Sequence, residues 1–431
     1  MLGYAVMAGV PGADAPAAQA RERPGPGPAA RLARRALHAR LAALRGGAVT
    51  LVDGDAAETF GEAGAPLQVT LRVLDPRFYG AVALRGSVGA AEAWMDGHWT
   101  CDDLTALVRI LARNRALKSF DGGAARLARP GLRLLHALRR NHRAGARRNI
   151  AAHYDLGNAF FELFLDPGMT YSCAVFERPD MSLEEAQGSK YERLCRKLAL
   201  GPGDRVLEIG GGWGGFAIHA ARTRGCRVTS ATISREQYEL ARARIHEAGL
   251  ADRAEMVFRD YRDLEGAYDK LVSIEMIEAV GARHLESFFR ACSERLRRDG
   301  LMALQAITVP DQDWKSSRRN VDFIKRYIFP GGQLVSLGAI ARALAAATDL
   351  RITHLEDITP HYAETLARWR ANLRRNLERV RGLGLPESFL RMWEYYLCYC
   401  EGGFRERAIG VVQILLAKPG SRHAPALGGL A

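Results

Sequence analysis

The amino-acid sequence predicts an α/β fold, with a doubly wound parallel sheet in its second half and a small α+β domain in front of it. Three observations carry this prediction. The chain has 431 residues, enough for two domains at about 100–200 residues each. A short apolar run at 206–209 has strand character and ends in a glycine cluster at 210–215. Between 205 and 309, apolar strand-like runs alternate with helical segments, as in doubly wound sheets.

The glycine cluster predicts a ligand site at the start of a helix. Glycine has no Cβ, so the backbone of 210–215 can come close to a bound molecule. Dinucleotide-binding turns have an acidic residue about 20 residues further on, but the run 227–234 contains no Asp or Glu. Instead Glu208 precedes the glycines, and a carboxylate there suits the cationic amino-acid end of S-adenosylmethionine. We therefore expect a methyltransferase, with a dinucleotide site or a turn without a ligand as the alternatives.

The net charge of +13 predicts a partner that carries negative charge. A basic surface favours nucleic acid, anionic lipid or acidic substrates without choosing among them. The segment from Gly122 to Tyr154 has eight arginines, interleaved leucines and no acidic residue. A basic helix with an apolar side suits an anionic membrane surface. RNA is the competing partner, but the chain shows no motif of an RNA-recognition module.

Cysteine usage and hydropathy indicate a cytoplasmic protein. The seven cysteines are odd in number and follow no spacing framework, which indicates reduced thiols. Cys398 and Cys400 lack a second Cys/His pair, so we predict no metal site. No run reaches the about 18 apolar residues of a membrane span, and the N-terminus lacks the basic and apolar regions of a secretory signal.

Four segments are predicted along the chain. Residues 1–30, rich in Ala, Pro and Gly, form a flexible tail. Residues 31–140 hold the small N-terminal domain, of a lipid-binding type, and the basic linker. Residues 141–420 form the methyltransferase domain, whose part beyond Pro310 is mostly helical and covers the substrate. Residues 421–431 are a second flexible tail. We expect Ser234 to cap the helix that follows it.

A series of motifs runs through the chain in a fixed order. They are DPRFYG (75–80), WMDGHWTCDDL (94–104), HYDLGN (153–158), TYSC (170–173), LEIGGGWGG (207–215), TISREQ (232–237), DYRDL (260–264), FIKRYIFPGG (323–332) and CEGGFRER (400–407). Through these motifs the chain resembles the cyclopropane-fatty-acyl-phospholipid synthases, the group that includes the mycolic acid cyclopropane synthases. The resemblance implies a Rossmann-like class I methyltransferase sheet with a helical substrate cover.

The resemblance also implies a reaction and a cofactor. The methyl group of S-adenosylmethionine goes to a cis double bond in an unsaturated phospholipid acyl chain, and loss of a proton closes a cyclopropane. Such a protein is expected as a peripheral protein on the inner face of the membrane, as a monomer or a homodimer, with no nucleic acid partner. The residues that match the family's cofactor contacts are Tyr171, Ser172, Gly210, Gly211, Gly212, Thr232, Ile233, Ser234, Arg235, Glu236, Gln237, Tyr261, Arg262 and Ile274.

A bound bicarbonate is the base that the resemblance implies. Its holders match Cys173, Glu278, Tyr362 and the backbone of Ile307, and the cysteine long assigned to the active site of the family matches Cys400. A thiolate at Cys400 is not required by the chemistry, and a buried thiol is the alternative. Glu275 and Glu278 are three residues apart and are expected to share a helix face. We assign the chemistry to Glu278 and a cofactor-side or structural role to Glu275.

One departure from the family pattern concerns Gln305. Well-studied bacterial members carry histidine there, and glutamine can bond bicarbonate but cannot carry charge near neutral pH. A related enzyme that gives a methylene- or methyl-branched chain is therefore an alternative. A methyltransferase for RNA or protein and a non-enzymatic lipid-binding relative are the competing hypotheses.

Overall fold

A computed structural model of the chain describes residues 27–114 and 157–423. The basic segment from Gly122 to Tyr154 lies outside the described residues. So do nearly all of the 1–30 tail, most of the 421–431 tail and the predicted domain boundary at 140.

The N-terminal domain is a four-stranded sheet packed against helices. Its elements are α1 (Pro28–Leu41), β1 (Ala48–Asp53), β2 (Ala56–Gly61), β3 (Gln68–Val73), α2 (Arg77–Met95), β4 (Trp99–Cys101) and α3 (Leu104–Arg113). The strand order is β2-β1-β3-β4, with β1 and β3 parallel and the other pairs antiparallel. The predicted α+β character is confirmed. The periodicity did not reveal α2, which contains several glycines and bends at Gly86, where φ is +59°.

The second domain is built on a seven-stranded sheet. Its elements are α4 (Asn158–Phe161), α5 (Leu183–Lys197), β5 (Arg205–Ile209), α6 (Gly215–Arg224), β6 (Arg227–Thr232), α7 (Arg235–Glu247), β7 (Ala254–Phe258), β8 (Tyr268–Ile274), α8 (Leu285–Arg295), β9 (Leu296–Thr308), α9 (Asp311–Arg319), α10 (Leu337–Ala347), β10 (Arg351–Asp357), α11 (Thr359–Arg375), α12 (Leu377–Gly382), α13 (Glu387–Arg405) and β11 (Gly410–Ala417). The strand order is β10-β11-β9-β8-β5-β6-β7. The predicted Rossmann-like sheet is confirmed.

The sheet is mixed rather than wholly parallel. Strands β5 to β9 are parallel to one another, whereas β11 pairs antiparallel with both β9 and β10. The chain beyond Pro310 is mostly helical, as predicted, but it also contributes β10 and β11 to the sheet, which the sequence did not predict. β11 reads Val-Val-Gln-Ile-Leu-Leu-Ala from 411 and is buried along this run, because it lies inside the sheet. A continuous apolar run of this length does not distinguish a buried strand from a buried helix.

Two helices are fixed by serine caps that the sequence shows. Ser234 Oγ accepts from the N–H of Gln237, as predicted. Ser182 forms a capping box with Glu185 at the start of α5. These local bonds satisfy amides that have no partner within the helix. They set where α5 and α7 begin beside the sheet.

The N-terminal domain is attached to the helical cover of the second domain. The indole N–H of Trp94 donates to the carbonyl of Arg391 on α13 over 2.9 Å. Arg109 and Arg113 on α3 both pair with Glu406, just after α13, at 2.7 Å. Within residues 27–114 and 157–423, no helix is long and apolar enough to cross a membrane.

The bend in α2 generates a stability prediction. A Cβ on Gly89 would lie 2.0 Å from the carbonyl oxygen of Ala81, whereas one on Gly80 would meet nothing within 4 Å. We expect Gly89→Ala to lower the free energy of unfolding by about 1–3 kcal/mol, because backbone must move. Gly80→Ala, the control in the same helix, should change it by less than about 1 kcal/mol or raise it. Urea unfolding measures both, and equal midpoints would contradict the packing at Gly89.

Candidate active site

The glycine turn lies at the carboxyl end of β5 and has a backbone that favours glycine. Gly210 and Gly212 have φ of +88° and +53°. A Cβ on Gly211 would lie 1.8 Å from Ser230 Oγ, and one on Gly212 would meet nothing within 4 Å. The amides of Gly210 and Gly211 both donate to the carbonyl of Ala231. The turn is thus held closely to β6 on one side. Within residues 27–114 and 157–423 nothing covers it at Gly212, where a ligand can approach the backbone.

Glu208 is buried beside this turn. Its Oε2 accepts from the hydroxyl of Ser230 over 2.6 Å. Burial raises the pKa of this carboxyl to about 7, although the Ser230 bond and the charge of Lys190 oppose the rise. A cationic group placed against it would favour the ionised form. The position therefore fits the amino-acid end of S-adenosylmethionine.

The segment between β6 and α7 is held by its own side chains. Thr232 Oγ1 donates to Gln237 Oε1 over 2.8 Å, and the amide of Ser234 donates to Thr232 Oγ1. Three further predicted contacts lie in this segment. Ile233 is the residue between Thr232 and Ser234. Arg235 packs over the ring of Phe258, and Glu236 accepts a hydrogen bond from Asn158. Asn158 also accepts from Trp213 in the glycine turn, so the two motifs are joined.

The other cofactor residues lie at the ends of β7 and β8. Arg262 donates two bonds to the buried carboxylate of Asp260, at 2.7 and 2.6 Å. Tyr261 packs edge-on against Phe288. Ile274 is the last residue of β8. The predicted cofactor residues from 210 onward thus gather at the carboxyl ends of β5 to β8, where doubly wound folds bind their ligands.

Tyr171 and Ser172 reach this edge from the segment before α5. The Tyr171 hydroxyl bonds that of Tyr396 at 2.9 Å, and Ser172 Oγ accepts from Lys190 Nζ at 2.7 Å. Lys190 is fully buried, and burial lowers its pKa to about 8. The sequence analysis missed Lys190; its one signal is a lysine among the apolar positions of α5.

Glu275 lies at the centre of the polar cluster. Its Oε1 accepts from the backbone N–H of Cys173 at 2.9 Å and from Gln305 Nε2 at 2.7 Å. Its Oε2 accepts from the Tyr362 hydroxyl at 2.6 Å. Burial raises the pKa of Glu275, while these three bonds and the charge of Lys190 lower it. The prediction had placed Glu275 outside the chemistry, but its side chain is the one that joins the predicted residues.

Glu278 occupies a different position from the one expected. Glu275 follows β8 with φ of +49°, and Glu278 lies in a separate 3₁₀ turn, Ile277–Ala279, so the two do not share a helix face. Glu278 Oε1 accepts from the N–H of Ile307 over 2.6 Å, and its buried Oε2 has no hydrogen-bond partner among the described residues. Burial, and then the nearby charge of Glu275, raise the pKa of Glu278 to about 8. Glu278 is therefore mostly protonated at neutral pH.

A buried chain of hydrogen bonds fixes the orientation of Gln305. Lys197 Nζ donates to Gln413 Oε1 at 2.7 Å, and Gln413 Nε2 donates to Gln305 Oε1 at 2.9 Å. Lysine can only donate, so it determines which end of each amide faces which neighbour. The NH₂ group of Gln305 is thereby directed at Glu275 and at the carbonyl of Cys173. Sequence reasoning found neither Gln413 nor Lys197.

The two predicted cysteines are thiols in apolar surroundings. Cys173 is fully buried, and its Sγ donates to the carbonyl of Ala174. Burial raises the pKa of both Cys173 and Cys400 above that of an exposed thiol. Within the described chain, Cys400 makes none of the hydrogen bonds that join Glu275, Gln305 and Tyr362. Both are thus poor nucleophiles, and the structure keeps Cys400 outside the polar cluster.

Aromatic rings surround the polar cluster. Tyr171 packs against Trp369 with ring centroids 5.2 Å apart, and Tyr362 stacks on Phe404 at 4.4 Å. Trp369 is fully buried and also contacts the ring of Tyr362. These rings exclude bulk water from the carboxyl groups and offer π faces to a cation.

The donors that the resemblance assigns to bicarbonate do not fit that ion here. The Gln305 NH₂ group has two hydrogens, and both are already bonded. The other donors, the N–H of Cys173, the N–H of Ile307 and the hydroxyl of Tyr362, all bond carboxylates of the chain, Glu275 or Glu278. An external anion would find these donors engaged.

Comparison with known proteins agrees with the fold and with an S-adenosylmethionine-dependent methyltransferase. The sequence model of the family described as mycolic acid cyclopropane synthetase matches residues 141–414. The chain is 40% identical over 354 residues to tuberculostearic acid methyltransferase UfaA1 of Mycobacterium tuberculosis, covering 79% of this chain and 81% of that one. It is 34% identical over 353 residues to cyclopropane-fatty-acyl-phospholipid synthase of Escherichia coli, covering 81% and 87%.

A solved structure supports the same relationship. The structure of mycolic acid cyclopropane synthase CmaA1 complexed with SAH and CTAB superposes with a TM-score of 0.59 at 32% identity. The match covers 63% of this chain and 98% of that one.

The position of Glu208 generates a prediction for cofactor binding. Because burial raises its pKa to about 7, protonation below neutral pH would remove the charge that we expect to face the cofactor's ammonium group. We expect S-adenosylmethionine affinity, measured by calorimetry, to fall by up to about tenfold per pH unit as the pH drops below that value. Glu208→Gln should bind weakly with no such pH dependence. Glu265→Gln, at an exposed carboxylate, is the control; a sloping profile in Glu208→Gln would contradict the assignment.

Proposed function

The chain belongs to the mycolic acid cyclopropane synthetase family of S-adenosylmethionine-dependent methyltransferases, and from this premise we propose that it methylates a cis double bond in an unsaturated phospholipid acyl chain to form a cyclopropane. The observation that carries the proposal is the cluster of Glu275, Glu278 and Tyr362 within aromatic rings, next to the glycine turn. An alkene has no acidic hydrogen to remove before attack, so a base is needed only after the methyl group has moved.

The residues of the chain position the methyl donor, keep water away from the carbocation and accept a proton. S-adenosylmethionine, when bound, supplies an electrophilic methyl group. The turn at 210–212 and the edge of β5 to β8 fix the donor, which matters because an alkene is a weak nucleophile and must be held in line. Trp369 and Tyr171 exclude water that would trap a carbocation and face it with π electrons. A carboxyl group in the cluster then receives a proton.

A branched product is the second candidate. The 40% identity to a tuberculostearic acid methyltransferase and the glutamine at 305 both favour it. If a hydride shifts along the acyl chain before the proton leaves, the cation moves to the carbon that bears the methyl group. Loss of a methyl proton then gives a methylene branch instead of a ring. Both routes use the same donor site and the same base.

The membrane surface is the proposed location of the substrate. The net charge of +13 and the arginines of the segment from Gly122 to Tyr154 support attraction to an anionic leaflet. A phospholipid acyl chain must leave the bilayer to reach a buried site, and a protein held at the inner face of the membrane shortens that path. Bicarbonate is not part of this proposal, since its donors are engaged.

A labelling experiment tests this function. The protein is incubated with methyl-labelled S-adenosylmethionine and vesicles of a monounsaturated anionic phospholipid, with vesicles of the saturated analogue as control. We expect label only in the unsaturated acyl chains, because the saturated chain offers no π electrons. NMR of the recovered lipid distinguishes ring protons, which lie far upfield, from the vinylic protons of a methylene branch. Parallel incubations contain RNA and unfolded polypeptide. Label in either of these instead of lipid would overturn the proposal.

A further inference from the structure

The carboxylate of Glu275 takes up three of the four hydrogen-bond donors that family resemblance places around bicarbonate, and the fourth, the N–H of Ile307, bonds Glu278. Bicarbonate and a glutamate side chain share the same planar O–C–O group, so one can satisfy the donors of the other. The donors are Cys173 N–H, the Gln305 amide and the Tyr362 hydroxyl, at 2.9, 2.7 and 2.6 Å from Glu275 oxygens. The anion in this site is therefore part of the chain.

We propose that Glu275 itself accepts the proton released during methyl transfer, so that the enzyme works without bicarbonate. The inference rests on the proposed function, since the proton exists only if an alkene is alkylated. It assigns the base to a residue that the motif comparison had left out of the chemistry.

The proton transfer balances within the groups present. The alkene π pair forms a bond to the methyl carbon as the carbon–sulfur bond breaks, and the electrons of that bond stay on sulfur. A C–H bond of the transferred methyl group then breaks, its electron pair closes the ring onto the neighbouring cationic carbon, and the proton goes to a Glu275 oxygen. Glu275 returns the proton to water when product leaves. No oxidant or reductant is required.

Glu275 and Glu278 differ in how well their surroundings stabilise a charge, as acceptance of the proton by Glu275 requires. Burial raises the pKa of Glu278, and its Oε2 accepts no hydrogen bond from the described residues that would stabilise a charge there. Glu275 receives three donated hydrogen bonds and lies near the buried ammonium group of Lys190, which together favour its ionised form. Burial opposes ionisation and makes the Glu275 carboxylate a stronger base than an exposed one. Of the two carboxyl groups, Glu275 is thus the one whose contacts stabilise a negative charge.

The backbone at Glu275 indicates that its position is maintained against strain. It is one of four non-glycine residues with positive φ in the described chain, at +49°. Side chains other than glycine and asparagine rarely adopt this conformation, and strain of this kind concentrates at functional sites. The N–H of Glu275 is tied to the carbonyl of Gln305, which also holds its side chain. Glycine at 275 would relieve the strain and leave a space of carboxylate size among free donors.

Glutamine at 305 suits a base that is attached to the chain. A carboxylate needs a donor beside it, and Gln305 provides an NH₂ group whose direction is set by Gln413 and Lys197. Because no ion has to be captured from solution, residue 305 does not need to carry a charge. The departure from histidine at 305 and the presence of Glu275 are thus parts of one arrangement.

Chemical rescue tests the inference. Wild-type protein, Glu275→Gln and Glu275→Gly are assayed on monounsaturated phospholipid vesicles in buffer depleted of carbon dioxide, with and without added bicarbonate, formate or acetate. We expect wild-type activity to be the same with and without bicarbonate. Glu275→Gln should lose at least about 100-fold in rate while it still binds S-adenosylmethionine by calorimetry. Glu275→Gly should be equally slow alone and should recover at least about tenfold with a small carboxylate, but not with chloride.

The outcomes separate the two proposals. Wild-type protein that labels no lipid would overturn the proposed function and this inference with it. Wild-type activity that falls on bicarbonate depletion and returns on its addition would overturn the role of Glu275 alone. So would Glu275→Gln with a rate within threefold of wild type. Glu265→Gln, an exposed carboxylate on the same domain, controls for charge loss, and the melting temperature of each variant shows that it is folded.

Discussion

The polar cluster depends on the hydrogen bonds that the buried carboxyl group of Glu275 accepts. Burial of a charge is costly unless hydrogen bonds and an opposite charge replace the lost water. Glu275 obtains this compensation from three donors and from Lys190, all supplied by the fold. The donors come from the segment before α5, from β9 and from α11, so the charge can be held only when these parts are assembled. Catalytic competence and correct packing of the second domain are therefore closely linked.

The antiparallel strand β11 extends this dependence across the sheet. It places Gln413 directly opposite Gln305 on β9, and Lys197 at the end of α5 completes the row. Lys197 in turn pairs with Glu356 on β10, whose pKa is lowered to about 2 by its bonds to Arg193 and Lys197. Glu356 therefore stays charged through the neutral and mildly acidic range, and the direction of each amide in the row is preserved there.

Local signals in the sequence revealed the frame of the site. The glycine turn, the cap at Ser234 and the alternation of strands with helices could be predicted because each depends on neighbours in sequence. The place of β11 could not, since an apolar run does not show which strands will flank it. The role of Glu275 was missed for a similar reason. The direction of its side chain depends on a left-handed φ and on pairing with β9, and the family resemblance pointed to Glu278 instead.

Helix α13 is shared by the two domains, and this has a consequence for any attempt to separate them. Helix α13 contacts α11, the helix that carries Tyr362. It also contacts α3 of the N-terminal domain so closely that a Cβ on Gly402 would lie 2.7 Å from the side chain of Val108. The family match begins at 141, after α3. A fragment starting there would expose a strip of small and apolar groups to solvent. Solubility, rather than chemistry, would then limit work with the isolated catalytic half, unless that strip were redesigned with polar residues.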